Sequence, residues 1–190
     1  MDENLNSRIT HGLERIAEAI QALLWEKAKV HGLSPIQIKI LFFVSKHGAE
    51  LCNVSQLAKE FNVTKPTISD AVRVLDKKGW VEKDYSSSDS RSFSLFLSTQ
   101  GKDLLKELGQ YTYPLEQAIH PLETHQKEAI HATLIQLIHQ LNKAGVLQVQ
   151  RTCLGCRFHE MQGENHYCHF LQSPLTVANL QVDCPDFQAA

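Results

Sequence analysis

The stretch from Asn53 to Gly79 reads as two short helices separated by a tight turn. Asn53 opens a capping box, so a helix is predicted to begin directly after it. Thr64 is a second N-cap residue, and the Lys65-Pro66 pair that follows suits the first turn of another helix. Gly79 is the expected stop. Two short helices joined by such a turn indicate a helix-turn-helix.

The second helix of this pair separates an apolar side from a polar side. Ile68, Val72 and Leu75 recur at spacings of four and three, so they are predicted to face the core. The outward side keeps polar and charged residues, which are Thr67, Ser69, Asp70, Arg73 and Lys77. Such a face can contact either solvent or a charged partner.

A β-hairpin is predicted directly after the helix pair. Trp80 to Lys83 and the alternating run from Phe93 to Leu97 read as strands, and the polar stretch from Ser86 to Arg91 reads as their exposed tip. Amphipathic helices are predicted on either side, from about Ile9 to His31 and from about Thr124 to Ala144. The expected class is mainly α with a small β wing (α+β).

These elements, in this order, resemble the winged helix-turn-helix of the MarR family of bacterial transcriptional regulators, from about Ile9 to Leu147. The matching segments are Leu33-Ser34-Pro35, Leu57-Ala58, Lys77-Lys78-Gly79, Asp89-Ser90-Arg91 and Leu97-Ser98-Thr99-Gln100-Gly101. The resemblance implies a homodimer in which the amino-terminal and last long helices interlock. It also implies binding to double-stranded DNA, and the family has a pocket for a small-molecule effector.

The resemblance places the helix from Thr64 to Lys78 in the major groove and the wing along the neighbouring minor groove. Residues at the helix N-terminus are then expected to meet phosphate, and those one turn deeper to reach base edges. Arg91 is the expected minor-groove or phosphate contact. The predicted DNA-binding residues are Thr64, Lys65, Pro66, Thr67, Ser69, Asp70, Arg73, Lys77 and Arg91.

The charge of the chain limits how strongly it can hold phosphate. The formal net charge is −2, so any basic face must arise from the folded geometry. Lys83 stands where many members of the family carry arginine, and Ser90 separates Asp89 from Arg91. The wing is therefore expected to be less positive than usual, with fewer phosphate contacts.

Four of the five cysteines lie near the end of the chain, at Cys153, Cys156, Cys168 and Cys184. A Cys-x2-Cys turn aims two thiolates at one point, and two further thiolates complete a tetrahedral set. In a reducing compartment such clusters bind metals more often than they form disulfides. The sequence therefore predicts a Cys-rich metal-binding module over residues 148–190, after a DNA-binding and dimerisation domain over residues 1–147.

Two kinds of metal centre remain open for these cysteines. Zn²⁺ is the commoner structural choice, whereas a [4Fe-4S] cluster accepts looser spacing and often has a proline after its last ligand, as in Cys184-Pro185. The tail also resembles small high-potential-type iron–sulfur modules, so the cluster is the favoured alternative. In a third arrangement, His166 or His169 replaces Cys168 in a zinc site of three cysteines and one histidine.

Two functions follow from these features. The first is a DNA-binding regulator whose four-cysteine site senses redox state or iron, or stabilises the fold. The second is an iron–sulfur redox or electron-transfer protein that uses the winged helix for protein contact. The sequence has no phosphate-binding loop and no nucleophile motif, so the first is favoured and no enzyme is expected.

The expected location is the cytoplasm, with no membrane partner. The longest strongly apolar run, from Ile40 to Val44, is far shorter than the ~20 residues that a membrane-spanning helix needs.

Overall fold

The computed structural model describes residues 2–85, 93–163 and 165–190. These residues form α-helices with two small antiparallel sheets, so the expected mainly α fold with a small β part is confirmed. The helices are α1 (Asp2–His31), α2 (Pro35–Val44), α3 (Val54–Glu60), α4 (Lys65–Lys77), α5 (Thr99–Leu108), α6 (Tyr113–Ile119) and α7 (Thr124–Lys143). The strands are β1 (Val81–Asp84), β2 (Ser94–Leu97), β3 (His159–Gln162), β4 (Asn165–Cys168) and β5 (Ser173–Leu175).

The chain packs as two compact units. The first unit contains Met1–Ala58 and Val63–His120, and the second contains Lys59–Asn62 and Pro121–Ala190. By packing, α7 therefore groups with the cysteine-rich tail, although the predicted functional boundary lies after it, at residue 147. That functional division into residues 1–147 and 148–190 stays a prediction.

The helix-turn-helix forms where its capping residues predict it. The Asn53 side-chain oxygen accepts a hydrogen bond from the Gln56 N–H at 3.0 Å, at the start of α3. The Thr64 hydroxyl accepts one from the Thr67 N–H at 3.3 Å, at the start of α4. Each bond satisfies a backbone donor that the first turn of a helix leaves open. Both predicted helix starts are therefore confirmed.

The apolar side of α4 is buried as its periodicity predicts. The side chains of Ile68, Val72 and Leu75 are fully buried in the first unit. Ile38 and Leu41 of α2 are fully buried as well. Burial of each such side chain contributes roughly 1.5–3 kcal/mol. Packing therefore fixes which side of α4 faces outward.

The wing hairpin is anchored at its base. In the antiparallel pair of β1 and β2, Val81 lies opposite Leu97 and Asp84 lies opposite Ser94. At the end of β2, the Ser98 hydroxyl accepts from the Gly101 N–H at 2.9 Å. A Cβ atom on Gly101 would lie 2.0 Å from the Trp80 carbonyl oxygen, so this contact requires glycine. The predicted tip, Ser86 to Arg91, lies outside the described residues.

The second unit joins α7 to the tail through a small apolar core. Ile135 of α7 is packed in one cluster with Cys153 and Leu180, and Leu154 and Leu175 lie against it. The His131 imidazole on the same helix is 2.9 Å from the Leu180 carbonyl oxygen. The tail itself holds the antiparallel sheet of β3, β4 and β5 in that order. The cysteines are thus held by a folded module rather than by a loose extension.

Across the residues that the structure describes, none of the helices is long and apolar enough to span a bilayer.

Candidate nucleic-acid interface and cysteine cavity

The outer face of α4 carries the predicted DNA-binding residues that the structure describes. Seven of them are exposed, namely Thr64, Lys65, Pro66, Thr67, Asp70, Arg73 and Lys77, and Ser69 is half-buried. The same packing that buries Ile68 and Val72 turns these side chains away from the core. Arg91 lies outside the described residues, so its predicted contact with DNA stays a prediction.

The arginine of this face is held by a neighbouring acid. The Arg73 guanidinium lies 2.6 Å from the Asp70 carboxylate, and these two side chains are 74% and 68% exposed. An ion pair this exposed is worth only about 0–1 kcal/mol. Arg73 can therefore exchange Asp70 for a base edge or a phosphate at little cost.

Lys83 on the wing is engaged within the fold. Its ammonium lies 2.6 Å from the Asp76 carboxylate and 5.2 Å from the centre of the Phe93 ring. Its side chain is only 20% exposed. Lys83 therefore ties the wing to the end of α4.

Two helices present apolar side chains to solvent in the single chain. Four of them lie on α1 at spacings of four and three and are between 41 and 58% exposed, namely Leu5, Ile9, Leu13 and Ile16. A similar set lies on α7, namely Ile130, Leu134, Leu137 and Leu141. Apolar rows at helical spacing normally face a partner surface.

The first unit also holds a cavity of about 300 Å³, lined by the end of α2, by β2 and by α5. His47 and Lys102 are among its polar residues. A volume of this size lies at the lower end of the range for small-molecule sites.

The four tail cysteines meet at one cavity in the second unit, called here the cysteine cavity. Cys153, Cys156, Cys168 and Cys184 all line it, and its volume is about 70 Å³. One buried water needs roughly 10–15 Å³ by the same measure, so the cavity is several waters large. Half of the remaining lining residues are apolar, namely Phe158, Phe170, Leu171 and Leu175, and the other half are polar, including His159 and Asp186. The arrangement is a sulfur-lined chamber whose walls are both apolar and polar.

The described residues do not form the geometry of a single-ion site. Among residues 2–85, 93–163 and 165–190, no group of three or more His, Cys, Asp or Glu side chains is arranged to hold a single metal ion. A tetrahedral zinc site would place each sulfur about 2.3 Å from one ion. The kind of centre that the four cysteines would hold therefore stays a prediction.

Backbone groups support the sulfurs of this chamber. The Gln181 N–H donates to the Cys153 Sγ at 3.2 Å. Burial raises the pKa of Cys153, the Gln181 N–H lowers it, and the neighbouring thiols of Cys156 and Cys168 raise it, so the net shift is upward. Burial likewise raises the pKa of Cys184. These thiols need a cation to become thiolates at neutral pH.

The neighbouring histidines are engaged with other groups. His166 Nδ1 lies 2.8 Å from His159 Nε2, and His169 Nε2 lies 2.9 Å from the Glu160 carboxylate. Cys168 lines the chamber, and His159 is the histidine that lines it as well. The predicted replacement of Cys168 by His166 or His169 thus finds no support in this arrangement.

The fifth cysteine belongs to the first unit. Cys52 is fully buried before α3, where burial and then the Glu50 charge raise its pKa to about 11. It is an inert thiol of the core.

One ionic network near the cysteines is not predicted by any sequence pattern. The Arg151 guanidinium lies 2.7 Å from the Glu60 carboxylate at the end of α3 and also binds the Asp183 carboxylate. Its side chain is only 10% exposed. No local pattern predicts this contact, because 91 positions separate Arg151 from Glu60.

Comparison with known proteins gives sequence matches over part of the chain. Residues 31–92 match the model of the MarR family. The HTH-type transcriptional repressor YetL of Bacillus subtilis is 34% identical over 76 residues, which are 40% of this chain and 46% of that protein. The HTH-type transcriptional repressor MdtR of the same organism is 24% identical over 106 residues, which are 56% of this chain and 67% of that protein. The match thus spans less than half the length of YetL.

Solved structures resemble the fold more extensively. A MarR transcriptional regulator from Methanosarcina mazei Go1 gives a TM-score of 0.61 at 20% identity, covering 72% of this chain and 97% of that chain. The S. aureus MepR–DNA complex gives 0.60 at 20% identity, covering 70% and 97%. These likenesses confirm the winged-helix fold, and they leave part of this chain without a counterpart.

Proposed function

We propose that the chain is a DNA-binding transcriptional regulator of the MarR type. The observation that carries this proposal is the exposed polar face of α4, held outward by its buried apolar side and followed directly by the hairpin of β1 and β2. The match of residues 31–92 to the MarR family and the likeness to the MepR–DNA complex support it. Its proposed place of action is the cytoplasm.

In the proposed mechanism α4 enters the major groove of double-stranded DNA. Thr64, Lys65, Pro66 and Thr67 lie at its N-terminus, where the helix dipole and the Lys65 ammonium favour phosphate. Arg73 lies further along the helix and exchanges Asp70 for the acceptor atoms of a guanine. The helix start thus positions the protein on the backbone, and the deeper residues read the sequence.

The proposed regulator acts as a homodimer. The exposed apolar rows of α1 and α7 are the surfaces that a second copy would cover. A dimer also places two copies of α4 on neighbouring half-sites, which multiplies the contacts made by one chain. A small-molecule effector stays a prediction, which the cavity of about 300 Å³ in the first unit supports.

We further propose that Cys153, Cys156, Cys168 and Cys184 hold a metal centre, and that it is a [4Fe-4S] cluster rather than Zn²⁺. The four cysteines line one chamber, and the looser spacing of the ligands together with the Cys184-Pro185 pair supports the cluster. Such a cluster, when bound, supplies a redox-active group whose potential depends on N–H···S bonds and solvent exposure. The Gln181 N–H is placed to tune it.

Replacing Arg73 by alanine is expected to weaken binding to a specific DNA site by about 1–3 kcal/mol, or roughly 5- to 150-fold. The physical reason is the loss of a base-edge or phosphate contact from the outer face of α4. Binding is measured by fluorescence anisotropy with the DNA that lies upstream of the chain's own coding sequence, at several salt concentrations.

The matched control is Lys106→Ala on α5. Lys106 forms an exposed ion pair with Asp103 at 2.7 Å, with the same spacing along its helix as the pair of Arg73 and Asp70. Lys106→Ala removes one positive charge and one such pair, but it should leave the affinity within about twofold of the wild type, because surface changes are usually within about ±0.5 kcal/mol. Equal losses in both variants would show that α4 does not make the specific contact.

A further inference from the structure

The ionic network around Arg151 connects the cysteine cavity to the helix-turn-helix. Arg151 lies two positions before Cys153, and its partner Asp183 lies immediately before Cys184. Its second partner, Glu60, is the last residue of α3, directly before the turn that leads into α4. Arg151 and both of its partners lie in the second unit. The Arg151 guanidinium thus contacts one carboxylate next to Cys184 in the sequence and another directly before the turn of the helix-turn-helix.

The backbone of Arg151 is fixed by the segments that carry the cysteines. The Cys184 N–H donates to the Arg151 carbonyl oxygen at 3.0 Å, and Arg151 and Asp183 form a parallel β-bridge. Nearby, the Cys153 N–H donates to the Gln181 carbonyl oxygen at 3.2 Å. Any group that draws Cys153 and Cys184 together therefore also holds Arg151 in place.

The turn of the helix-turn-helix is held from the same segment of chain. Asn62 adopts a left-handed conformation with φ of 53°, and the Gln148 side-chain amide donates to its side-chain oxygen at 3.1 Å. Glu60 and Asn62 are thus both fixed by side chains from residues 148–151. This explains why residues 59–62 pack with the second unit, although they connect helices of the first.

The guanidinium remains charged in this buried position. Burial lowers the pKa of Arg151, but the hydrogen bonds from its guanidinium to Asp183 and Glu60 more than offset this effect, and the pKa is raised. The Arg151 side chain is 10% exposed and Glu60 is 23% exposed, so displacing Glu60 would leave a poorly solvated guanidinium with only Asp183 as its partner. The contact is therefore suited to transmit a small displacement of its backbone.

We propose that Arg151 couples the metal centre of the four cysteines to DNA binding, by holding Glu60 and the turn before α4 only while the centre is intact. This inference rests on the proposed function. With the centre in place the turn is ordered in advance, so DNA binding costs less ordering of the chain. Loss of the centre releases the segments around Cys153 and Cys184, and with them the contact of Arg151 with Glu60.

The test compares the DNA affinity of anaerobically purified protein with that of the same protein after oxidation and chelation of its metal. For the wild type we expect the intact form to bind the upstream DNA about 5- to 150-fold more tightly, the usual range of coupling between two sites. In Glu60→Gln the ratio of the DNA affinities of the intact and metal-free forms should fall to near one, while the metal content per chain stays that of the wild type. Asp183 remains to pair with Arg151, so the variant should fold.

Glu107→Gln is the control for the loss of one negative charge. Glu107 is exposed on α5 in the first unit, and the ratio between the two forms should equal that of the wild type. A second readout is hydrogen exchange at residues 59–63, which we expect to slow when the centre is intact in the wild type but not in Glu60→Gln.

The outcomes distinguish the proposed link, which is the coupling of the metal centre to DNA binding through Arg151, from the proposed regulator on which it rests. An equal ratio in the wild type and Glu60→Gln overturns the link alone, as does tighter binding by the metal-free wild type. Failure of the wild type to bind DNA in either form overturns the proposed regulator, and the link with it. A ratio lost only in Glu60→Gln supports both.

Discussion

Replacing Cys168 by serine is expected to remove the metal centre and to loosen the second unit. Cys168 is one of the four sulfurs that line the cysteine cavity, and it also pairs with His159 across β3 and β4. Changes to residues that merely support a metal ligand cost about 10- to 100-fold in metal affinity, so loss of a ligand should cost more than ~100-fold. Iron, sulfide and zinc per chain are measured after anaerobic purification.

The control for this change is Cys52→Ala. Cys52 is fully buried in the first unit, and the metal content of this variant should equal that of the wild type. Because metal binding contributes folding energy, Cys168→Ser should also lower the unfolding temperature of the tail, whereas Cys52→Ala should not affect the tail. Full metal content in Cys168→Ser would indicate that a histidine is the fourth ligand, and it would refute the proposed set of four cysteine ligands.

Placing a charge in the apolar row of α1 is expected to split the proposed homodimer. In Leu13→Asp, a second copy would bury an unpaired carboxylate against the row of Leu5, Ile9 and Ile16. An uncompensated buried charge costs about 3–5 kcal/mol, which raises the dimer dissociation constant by at least ~100-fold. Light scattering should then show one chain per particle, and DNA affinity should fall because one half-site contact is lost.

His11→Asp is the control for this second change. At about 3.6 residues per turn, His11 lies on nearly the opposite side of α1 from Leu13, and it is exposed. The same new charge there should leave the dimer intact. A wild type that is itself monomeric would remove the dimer from the proposal. If both variants dissociate, the added charge alone, and not its position in the apolar row, would account for the loss of the dimer.

Local signals were enough to predict the helix-turn-helix. The caps at Asn53 and Thr64 act within three residues, and the apolar spacing of α4 fixes which side is buried. The ion pair of Asp70 and Arg73 also lies within one helical turn. Features of this kind depend on residues that are close in sequence, so they can be predicted from a single sequence.

Contacts across long separations could not be predicted in this way. Arg151 and Glu60 are 91 positions apart, and Gln148 and Asn62 are 86 apart. Neither the turn nor the tail has a pattern that requires the other. Similarly, Lys83 was interpreted as a wing charge, whereas only the folded hairpin brings it to Asp76 and Phe93.

The four cysteines fall between these cases. Their number and the Cys-x2-Cys turn predicted a shared site, and the structure brings all four to one cavity. The kind of centre depends on how far apart the sulfurs lie, which spacing along the chain does not determine. The amounts of iron, sulfide and zinc per chain carry that distinction.

The identity of the centre is decided by one measurement on the protein purified without air: iron, sulfide and zinc per chain, together with its visible absorption. A [4Fe-4S] cluster on Cys153, Cys156, Cys168 and Cys184 gives a brown protein with about four iron and four sulfide per chain. A colourless protein with about one zinc per chain and no sulfide would refute the cluster and leave a structural zinc site in its place.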